Sequence, residues 1–484
     1  MISPSTLCLG LCLREFSVEN NEVTGTLPTE LGLLTSLEML NVHKNKLTGT
    51  LPTEMGTLTA TGSLSMSLNS FNGQLPTELG LLTGTSFLGI ASNSLTGTLP
   101  TELGQMTLLD SLFASSNPLT GTLPKELGLL TAMTQIYLSN TFCTGTLPTE
   151  LGQLTAMNIL RVDNNFLSGT LPTELGNMTA LEYFYAFNNS LTGTLPEELS
   201  AWVHLQDFVI DQNRLTGILP SKYGAWTSLK DLSIKNNSLV GTIPTEFNRL
   251  TALQALVLEL NSLEGILPTQ LGDLTSLTLL NVGTNSLSGT IPTEWGQMSA
   301  MKYLYVFSNL LTGRIPFELS NIASLEHFVG DDNRFEGTFP TELAPLSNIQ
   351  LFAVAKNRFT GTLPRELFLP WSSLLGLNIS SNMFTGPLPA ELVQANGLVA
   401  LDVSRNALTG TIPSELSQLS DLTVFVFDNN NFTGSVSDVL CSDSNSSQWE
   451  ILQGDCLEDD SSGQVKIECE CCTACCNSNG SVCV

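Results

Sequence analysis

Apolar and polar residues alternate in short stretches that return every 24 residues along most of this chain. A glycine marks the period at positions 25, 49, 73, 97, 121, 145, 169, 193, 217, 241, 265, 289, 313, 337 and 361, and after one 25-residue step it resumes at 386, 410 and 434. These eighteen copies indicate a repeat protein. Its units must stack, because no single unit can bury its own apolar face.

Each copy predicts the same series of short elements. The stretch L-x-x-L-x-L-x-x-N, as in residues 181–189, predicts a strand with its leucines inward. The Asn that follows can donate and accept hydrogen bonds, so stacked copies are expected to satisfy the backbone of successive turns. L-T-G-T-L-P predicts a second strand, and P-T-E-L-G predicts a helical turn with Glu near its positive end. Asn recurs at Asn45, Asn69, Asn93, Asn165, Asn189 and Asn213.

Stacking of these units predicts an α/β solenoid. Strands about 4.8 Å apart over seventeen steps would form a parallel sheet on the order of 80 Å long. We expect a short N-terminal remnant or partial cap at residues 1–12, the solenoid at 13–440 and a cysteine-rich C-terminal cap at 441–484. Local irregularity is expected where Thr141 replaces the ladder Asn, where Cys143 and Gly330 replace core residues, and where the extra residue falls near 368–370.

The motif TGTLPTELGLLTSLEMLNVHKN at residues 24–45 closely resembles the plant-type leucine-rich repeat. That repeat is found in receptor-like proteins, receptor-kinase ectodomains, pectinase inhibitors and algal relatives. The resemblance covers residues 13–440 and implies a superhelix with the long sheet on its concave face and the short helical turns on its convex side. It also implies an extracellular recognition surface for a protein, peptide or glycan ligand, with a co-receptor as a further partner.

Composition and motifs argue against several classes of function. Lys+Arg 18 against Asp+Glu 45 gives a net charge of −27, which repels nucleic acids and anionic membrane surfaces. The chain has no apolar run long enough to span a bilayer. Its histidines, His43, His204 and His327, lie in different repeats, and no nucleotide, metalloprotease or serine-hydrolase motif is present. We therefore expect a scaffold without catalytic activity, cofactor or metal.

Eight of the eleven cysteines fall within the last 44 residues. This density predicts a disulfide framework. An alternative is a soft-metal site, but no histidine accompanies the cysteines and their spacing is too tight for a zinc knuckle. Cys143 takes a core position and is expected to be an inert buried thiol. The expected disulfide cysteines are Cys441, Cys456, Cys469, Cys471, Cys472, Cys475, Cys476 and Cys483.

Sequons for N-glycosylation and the cysteine cluster both favour an oxidising location, secreted or at the cell surface. The first 13 residues make a poor signal peptide, because they lack a basic region and a convincing cleavage site. An extracytoplasmic location conflicts with such a poor signal peptide, so we expect that a signal or anchor segment is missing from this sequence. The sequons begin at Asn177, Asn188, Asn236, Asn378, Asn431, Asn445 and Asn479.

The outward residues of the predicted main sheet are the best candidates for a ligand-binding site, because they vary while the frame does not. They lie six, four, two and one residues before each ladder Asn. Two aromatic triples flanked by carboxylates fit a peptide with basic residues or stacking on sugar rings, although aromatics also favour strands for structural reasons. The candidates are Tyr137, Arg161, Asp163, Tyr183, Tyr185, Phe187, Asp207, Asp211, Asp231, Lys235, Tyr303, Tyr305, Phe307, Asp331 and Asp332.

The repeated Thr-Gly-Thr segment offers an alternative function. Its period-two spacing puts both hydroxyls on one face of a strand in successive turns. Arrays of this kind resemble ice-binding solenoids, which makes a structural or ice-binding extracellular protein the second hypothesis. The plant-type repeat itself requires Ser or Thr before this Gly, and Gln74, Ile218, Ile266, Arg314 and Pro387 interrupt the array.

Overall fold

The computed structural model describes residues 13–436, 440–441, 449–456 and 467–476. The chain divides into two compact units, Met1–Val240 and Gly241–Val484. In each unit the repeats stack in register, so that every described main strand pairs in parallel with the main strand of the next repeat. The predicted solenoid of leucine-rich repeats is confirmed.

In the first unit the main parallel sheet consists of Glu15–Ser17, Met39–Asn41, Ser63–Ser65, Phe87–Gly89, Ser111–Phe113, Gln135–Tyr137, Ile159–Arg161, Tyr183–Tyr185, Asp207–Val209 and Asp231–Ser233. In the second unit it consists of Ala255–Val257, Leu279–Asn281, Tyr303–Tyr305, His327–Val329, Leu351–Ala353, Gly376–Asn378, Ala400–Asp402, Val424–Val426, Ile451–Gly454 and Ala474–Cys475. Its last two strands lie in the cysteine-rich region, where the parallel pairing continues.

A second set of short parallel strands follows the ladder Asn, as the sequence predicts. The first unit contains Thr24–Gly25, Lys46–Thr50, Ser70–Gln74, Ser94–Thr96, Thr120–Thr122, Phe142–Gly145, Phe166–Thr170, Ser190–Gly193 and Arg214–Leu215. The second contains Ser262–Ile266, Ser286–Gly289, Leu310–Gly313, Arg334–Gly337, Arg358–Gly361, Met383–Gly386, Ala407–Gly410, Asn431–Phe432, Gly434–Ser435 and Ile467–Glu468. Val240–Gly241 is a further strand of this set.

The helical turns are 3-10 helices, because five residues after each Pro allow only one tight turn before the chain re-enters the core. They are Thr29–Leu33, Thr53–Thr57, Thr77–Leu81, Thr101–Gln105, Lys125–Leu129, Thr149–Gln153, Thr173–Asn177, Glu197–Ala201 and Ser221–Ala225 in the first unit, and Thr245–Arg249, Thr269–Asp273, Thr293–Gln297, Phe317–Asn321, Thr341–Leu343, Ala390–Gln394 and Ser414–Gln418 in the second. Arg365–Phe368 is α-helical. It lies in the 25-residue copy, where the extra residue gives the chain room for a wider turn.

The core of each repeat is a column of apolar side chains. In one copy Leu181, Phe184, Ala186 and Leu191 are all fully buried. Leucines from neighbouring copies pack on them, and the first unit adds a cluster in which Phe184 stacks on Phe208 with ring centroids 5.5 Å apart. This buried face fixes which residues of each strand point outward, because side chains alternate along a strand.

The ladder Asn and the repeat Gly account for the uniform turn between the two strand sets. The Nδ2 group of Asn213 donates to the carbonyls of Ala186, Ile210 and Asp211, and its Oδ1 accepts from the backbone N–H of Leu191. Gly193 has φ +78, and a Cβ there would lie 2.6 Å from Cγ2 of Thr170 in the preceding copy. Both residues are therefore required by the backbone and by close stacking.

Candidate functional site

The outward residues of the main sheet in the first unit form a patch around Tyr185. The parallel register places Arg161 beside Tyr185 and places Tyr183 beside Asp207. Asp207 is followed by Asp231 on the next strand. Phe184, between the two tyrosines, points into the core. The alternation of the strand therefore turns Tyr183 and Tyr185 to the same outward face, as predicted.

Tyr185 is held from two sides. Its hydroxyl donates to the carboxylate of Asp207. The guanidinium carbon of Arg161 lies 4.7 Å from the centroid of its ring, a cation–π contact. Nε of Arg161 donates to Oδ1 of the buried Asp163 at 3.2 Å. Burial and the hydrogen bond to Asp207 raise the pKa of Tyr185, so its hydroxyl remains a donor.

Three carboxylates extend from this aromatic pair across the next strands. Burial, together with the charges of Asp207 and Asp211, raises the pKa of Asp231 to about 6. Asp211 is tied into the frame, because it accepts hydrogen bonds from Oγ of Ser233 at 2.7 Å and from the backbone N–H of Lys235 at 2.6 Å. Asp207 and Asp231 therefore present a local excess of negative charge beside Tyr183 and Tyr185.

The matching pattern in the second unit forms a different network. Tyr303 and Tyr305 are stacked with ring centroids 6.5 Å apart. The hydroxyl of Tyr303 donates to Glu326 at 2.9 Å, and the ammonium of Lys302 donates to the same carboxylate at 2.8 Å. The hydroxyl of Tyr305 lies 2.9 Å from Nδ1 of His327. In this patch a lysine already neutralises the acidic group nearest the tyrosines.

The remaining predicted residues of the second unit have mainly local roles. The ring of Phe307 lies against Gly283, where an added Cβ would be 2.5 Å from it. A carboxylate oxygen of Asp331 accepts from the backbone N–H of Ala355, and Asp332 accepts from Oγ of Ser308 at 3.1 Å. Burial raises the pKa of Asp331 to about 6. The predicted aromatic triple is thus a half-buried outward pair with its third ring packed on the sheet.

The structure adds residues that the sequence analysis did not select. They are Phe87 and Phe113, which form an edge-to-face row with the predicted residue Tyr137, with centroid distances of 5.2 and 4.6 Å. Their repeat positions, six or four residues before the ladder position, are the signal that could have identified them. Glu326 lies seven residues before the ladder Asn333 and so falls outside the predicted outward positions, whereas His327 lies six residues before it and pairs with Tyr303.

The cysteine-rich region contains the disulfides Cys441–Cys471, Cys456–Cys475 and Cys469–Cys472. Cys476 is also disulfide-bonded, and Cys483 lies outside the described residues. The sulfurs of Cys441, Cys469 and Cys471 lie within 4.8 Å of one another. Because these three are disulfide-bonded, they do not offer thiolates to a metal.

Cys143 is a free thiol with 1% exposure. Burial raises the pKa of this thiol, which opposes formation of the reactive thiolate. Its core position agrees with the expected inert role.

The predicted glycosylation sites differ in their exposure. Asn177, Asn188, Asn236 and Asn431 are exposed, whereas Asn378 is half-buried on the main sheet. Asn445 and Asn479 lie outside the described residues. Glycosylation of these sites stays a prediction.

The Thr-Gly-Thr array takes part in stacking between copies. The hydroxyls of Thr48, Thr120 and Thr216 donate to the Gly carbonyl of the preceding copy at 3.1, 3.2 and 3.3 Å. The methyl of the second Thr packs on the next Gly, as for Thr170 and Gly193. These contacts give the array a structural purpose, and the ice-binding hypothesis stays a prediction.

The part of the chain that the structure describes contains no helix with the length and apolar character needed to cross a membrane. Leucine-rich-repeat family models match residues 203–263, 36–58 and 397–419. No curated protein matches the chain in sequence.

Solved structures match it over most of its length. The plant peptide hormone receptor RGFR1, solved in complex with RGF2, is 31% identical with a TM-score of 0.86, covering 87% of this chain and 68% of the receptor chain. The ectodomain of the Arabidopsis receptor kinase HAESA, solved with an IDA peptide hormone, is 28% identical with a TM-score of 0.81, covering 97% of this chain and 79% of that chain.

A third structure is that of the Arabidopsis thaliana receptor kinase GASSHO1/SCHENGEN3, in complex with CASPARIAN STRIP INTEGRITY FACTOR 2. It is 30% identical with a TM-score of 0.68, covering 88% of this chain. This chain spans only 57% of that ectodomain. The repeat motif, the second strand set and these similarities agree, and the chain belongs to the plant-type leucine-rich repeat proteins.

Proposed function

We propose that this protein is an extracellular recognition module that binds a peptide on the main sheet of its first unit. The observation that carries the proposal is the arrangement of Tyr183, Tyr185, Asp207 and Asp231. Two outward aromatic rings lie beside two carboxylates that share one stretch of sheet. The ligand that fits is a peptide with a Lys or Arg side chain next to an apolar one.

The electrostatics favour a cationic group at this position. Asp231 is partly buried beside Asp207 and Asp211, and its pKa is raised to about 6 first by burial and then by the charges of these two carboxylates. A ligand ammonium or guanidinium group offsets these charges and forms charge-assisted hydrogen bonds. Tyr185, fixed by Arg161 and Asp207, provides a rigid surface that loses little entropy on binding.

Three further observations support an extracellular location and a peptide ligand. Several similar structures are of plant receptors in complex with peptide hormones, and one of these complexes includes the co-receptor SERK1. The disulfides of the cysteine-rich region suit an oxidising compartment. We propose secretion or surface display on this basis, with a co-receptor as a second partner.

The test begins with selection of short random peptides on the purified chain at neutral pH. Enrichment of Lys or Arg next to an apolar residue is expected. The double variant Tyr183→Ala/Tyr185→Ala should then bind the selected peptide at least about 30-fold more weakly, since paired aromatic anchors dominate such interfaces. Its thermal melt should remain close to that of the parent, because both rings lie outside the core.

The matched control is Phe142→Ala/Phe166→Ala, which removes two exposed rings from the second strand set of the same unit. It should leave the dissociation constant unchanged. Equal binding by the parent and the Tyr183→Ala/Tyr185→Ala variant would exclude the proposed site.

A further inference from the structure

Two exposed phenylalanines lie side by side on the second strand set of the first unit. Phe142 is 51% exposed and Phe166 is 60% exposed, and their ring centroids are 6.0 Å apart. The strands around them, Thr120–Thr122, Phe142–Gly145, Phe166–Thr170 and Ser190–Gly193, carry no charged residue. On a chain with a net charge of −27, this surface is suited to a neutral ligand that has both apolar and hydroxyl groups.

The sequon Asn188-Asn189-Ser190 begins directly beside this pair. The carbonyl of Asn188 accepts from the backbone N–H of Asn165 at 3.2 Å, one residue before Phe166. Nδ2 of Asn188 donates to Oδ1 of Asn164 at 2.9 Å, which turns the exposed amide toward the copy that holds Phe166. The site of attachment and the aromatic surface are therefore neighbours.

We infer that Asn188 carries an N-linked glycan whose first N-acetylglucosamine packs on the ring of Phe166 and whose second reaches Phe142. The apolar C–H face of a pyranose ring suits the negative face of an aromatic ring. One sugar unit is about as long as the distance between neighbouring strands, roughly 5 Å. The glycan would cover an apolar surface that is otherwise in contact with water.

The chemistry requires an oligosaccharide linked to a polyprenyl pyrophosphate as donor. A bond forms between the anomeric carbon and Nδ2, while the bond from that carbon to the pyrophosphate oxygen breaks. The polyprenyl pyrophosphate leaves and the amide loses one proton. The remaining N–H of the amide can still donate to Asn164, so the modification keeps the observed contact.

The same unit contains a matched control in Asn236. It begins an identical Asn-Asn-Ser sequon and has almost the same left-handed backbone, with φ 53 against φ 54 for Asn188. Its carbonyl accepts from the N–H of Asn213 at 3.3 Å, one residue before Arg214. The two sites thus differ in their neighbour, which is Phe166 for Asn188 and the exposed Arg214 for Asn236.

The experiment is to secrete the chain from a eukaryotic host behind a cleavable leader and map its glycopeptides by mass spectrometry. Release of each glycan by peptide N-glycosidase is then timed on the native protein. Asn188 should be modified, and its glycan should be released about threefold or more slowly than that of Asn236, as expected for a glycan held by an aromatic contact. Phe166→Ala should remove the delay, and Arg214→Phe should slow release at Asn236.

A chain without glycan at Asn188 would overturn the inference. So would a glycan whose release is unaffected by Phe166→Ala. The exposure of Phe166 allows its truncation without a change in the core, which circular dichroism of the variant verifies. Neither result depends on peptide binding by the main sheet. A failure of the glycan proposal can therefore be distinguished from a failure of the proposed peptide-binding function.

Discussion

At the scale of single residues, the carboxyl group of Asp231 couples the proposed binding patch to pH. Its pKa of about 6 in the folded chain exceeds the value of about 3.9 expected when the chain is unfolded. The folded state therefore binds more protons between these two values. The free energy of unfolding must fall as pH rises through this window and stay lower above it.

Asp231→Asn is consequently expected to stabilise the first unit by about 1–2 kcal/mol at about pH 7.5 and by almost nothing near pH 4. Guanidinium unfolding of parent and variant at both pH values measures the difference. A variant that is no more stable than the parent near pH 7.5 would show that burial does not penalise this carboxylate. The comparison near pH 4 serves as the internal control.

The residue roles show how far the sequence could locate the patch. The repeat register placed Tyr183, Tyr185, Asp207 and Asp231 on the outward face, and the structure confirms these positions. The repeat register could not show that Asp211 accepts hydrogen bonds from Ser233 and Lys235. Nor could it show that Phe307 packs against Gly283. Such pairings depend on side-chain rotamers and on what the neighbouring copy offers, not on the period.

At the scale of elements, the ladder Asn is the residue that holds the turn after each main strand. Asn213 is 9% exposed and satisfies four backbone groups, two in its own copy and two in the preceding one. Thr141 replaces this Asn in one copy and makes fewer contacts, bonding the carbonyl of Leu138 and the side chain of Asn165. The solenoid tolerates such a gap because the copies on either side retain the amide.

Asn213→Ala should destabilise the first unit by about 2–3 kcal/mol, since it leaves several buried backbone groups unpaired. Chemical unfolding measures the loss. The neighbouring exposed variant Arg214→Ala should change stability by less than about 0.5 kcal/mol. Equal effects of the two substitutions would show that the ladder is not a source of stability.

The elements also show where sequence periodicity is sufficient and where it is not. Strand positions, inward residues and the repeat Gly follow directly from the 24-residue period, and all eighteen of these glycines have positive φ. The turn after Pro was predicted as helical without its type. The 3-10 form is seen in hydrogen bonds that span three residues, such as that from the N–H of Leu34 to the carbonyl of Leu31, which the periodicity does not specify.

At the scale of the whole molecule, charge and ligand chemistry are connected. The net charge of −27 attracts cationic peptides over long distances and speeds their association at low salt. That field is not selective by itself, because carboxylates recur in most copies. Selectivity must come from the aromatic pair Tyr183 and Tyr185, because the tyrosine pair of the second unit lies beside a carboxylate that Lys302 already neutralises.

The measurement that tests this account most directly is photo-crosslinking of a selected basic peptide to the intact chain. The peptide carries a benzophenone next to its Lys or Arg, and the attachment sites are read by mass spectrometry. We predict crosslinks to the outward residues of Ile159–Arg161, Tyr183–Tyr185 and Asp207–Val209, suppressed by excess unlabelled peptide. Specific crosslinks confined to the second strand set or the 3-10 turns would contradict the claim that the main sheet of the first unit binds the ligand.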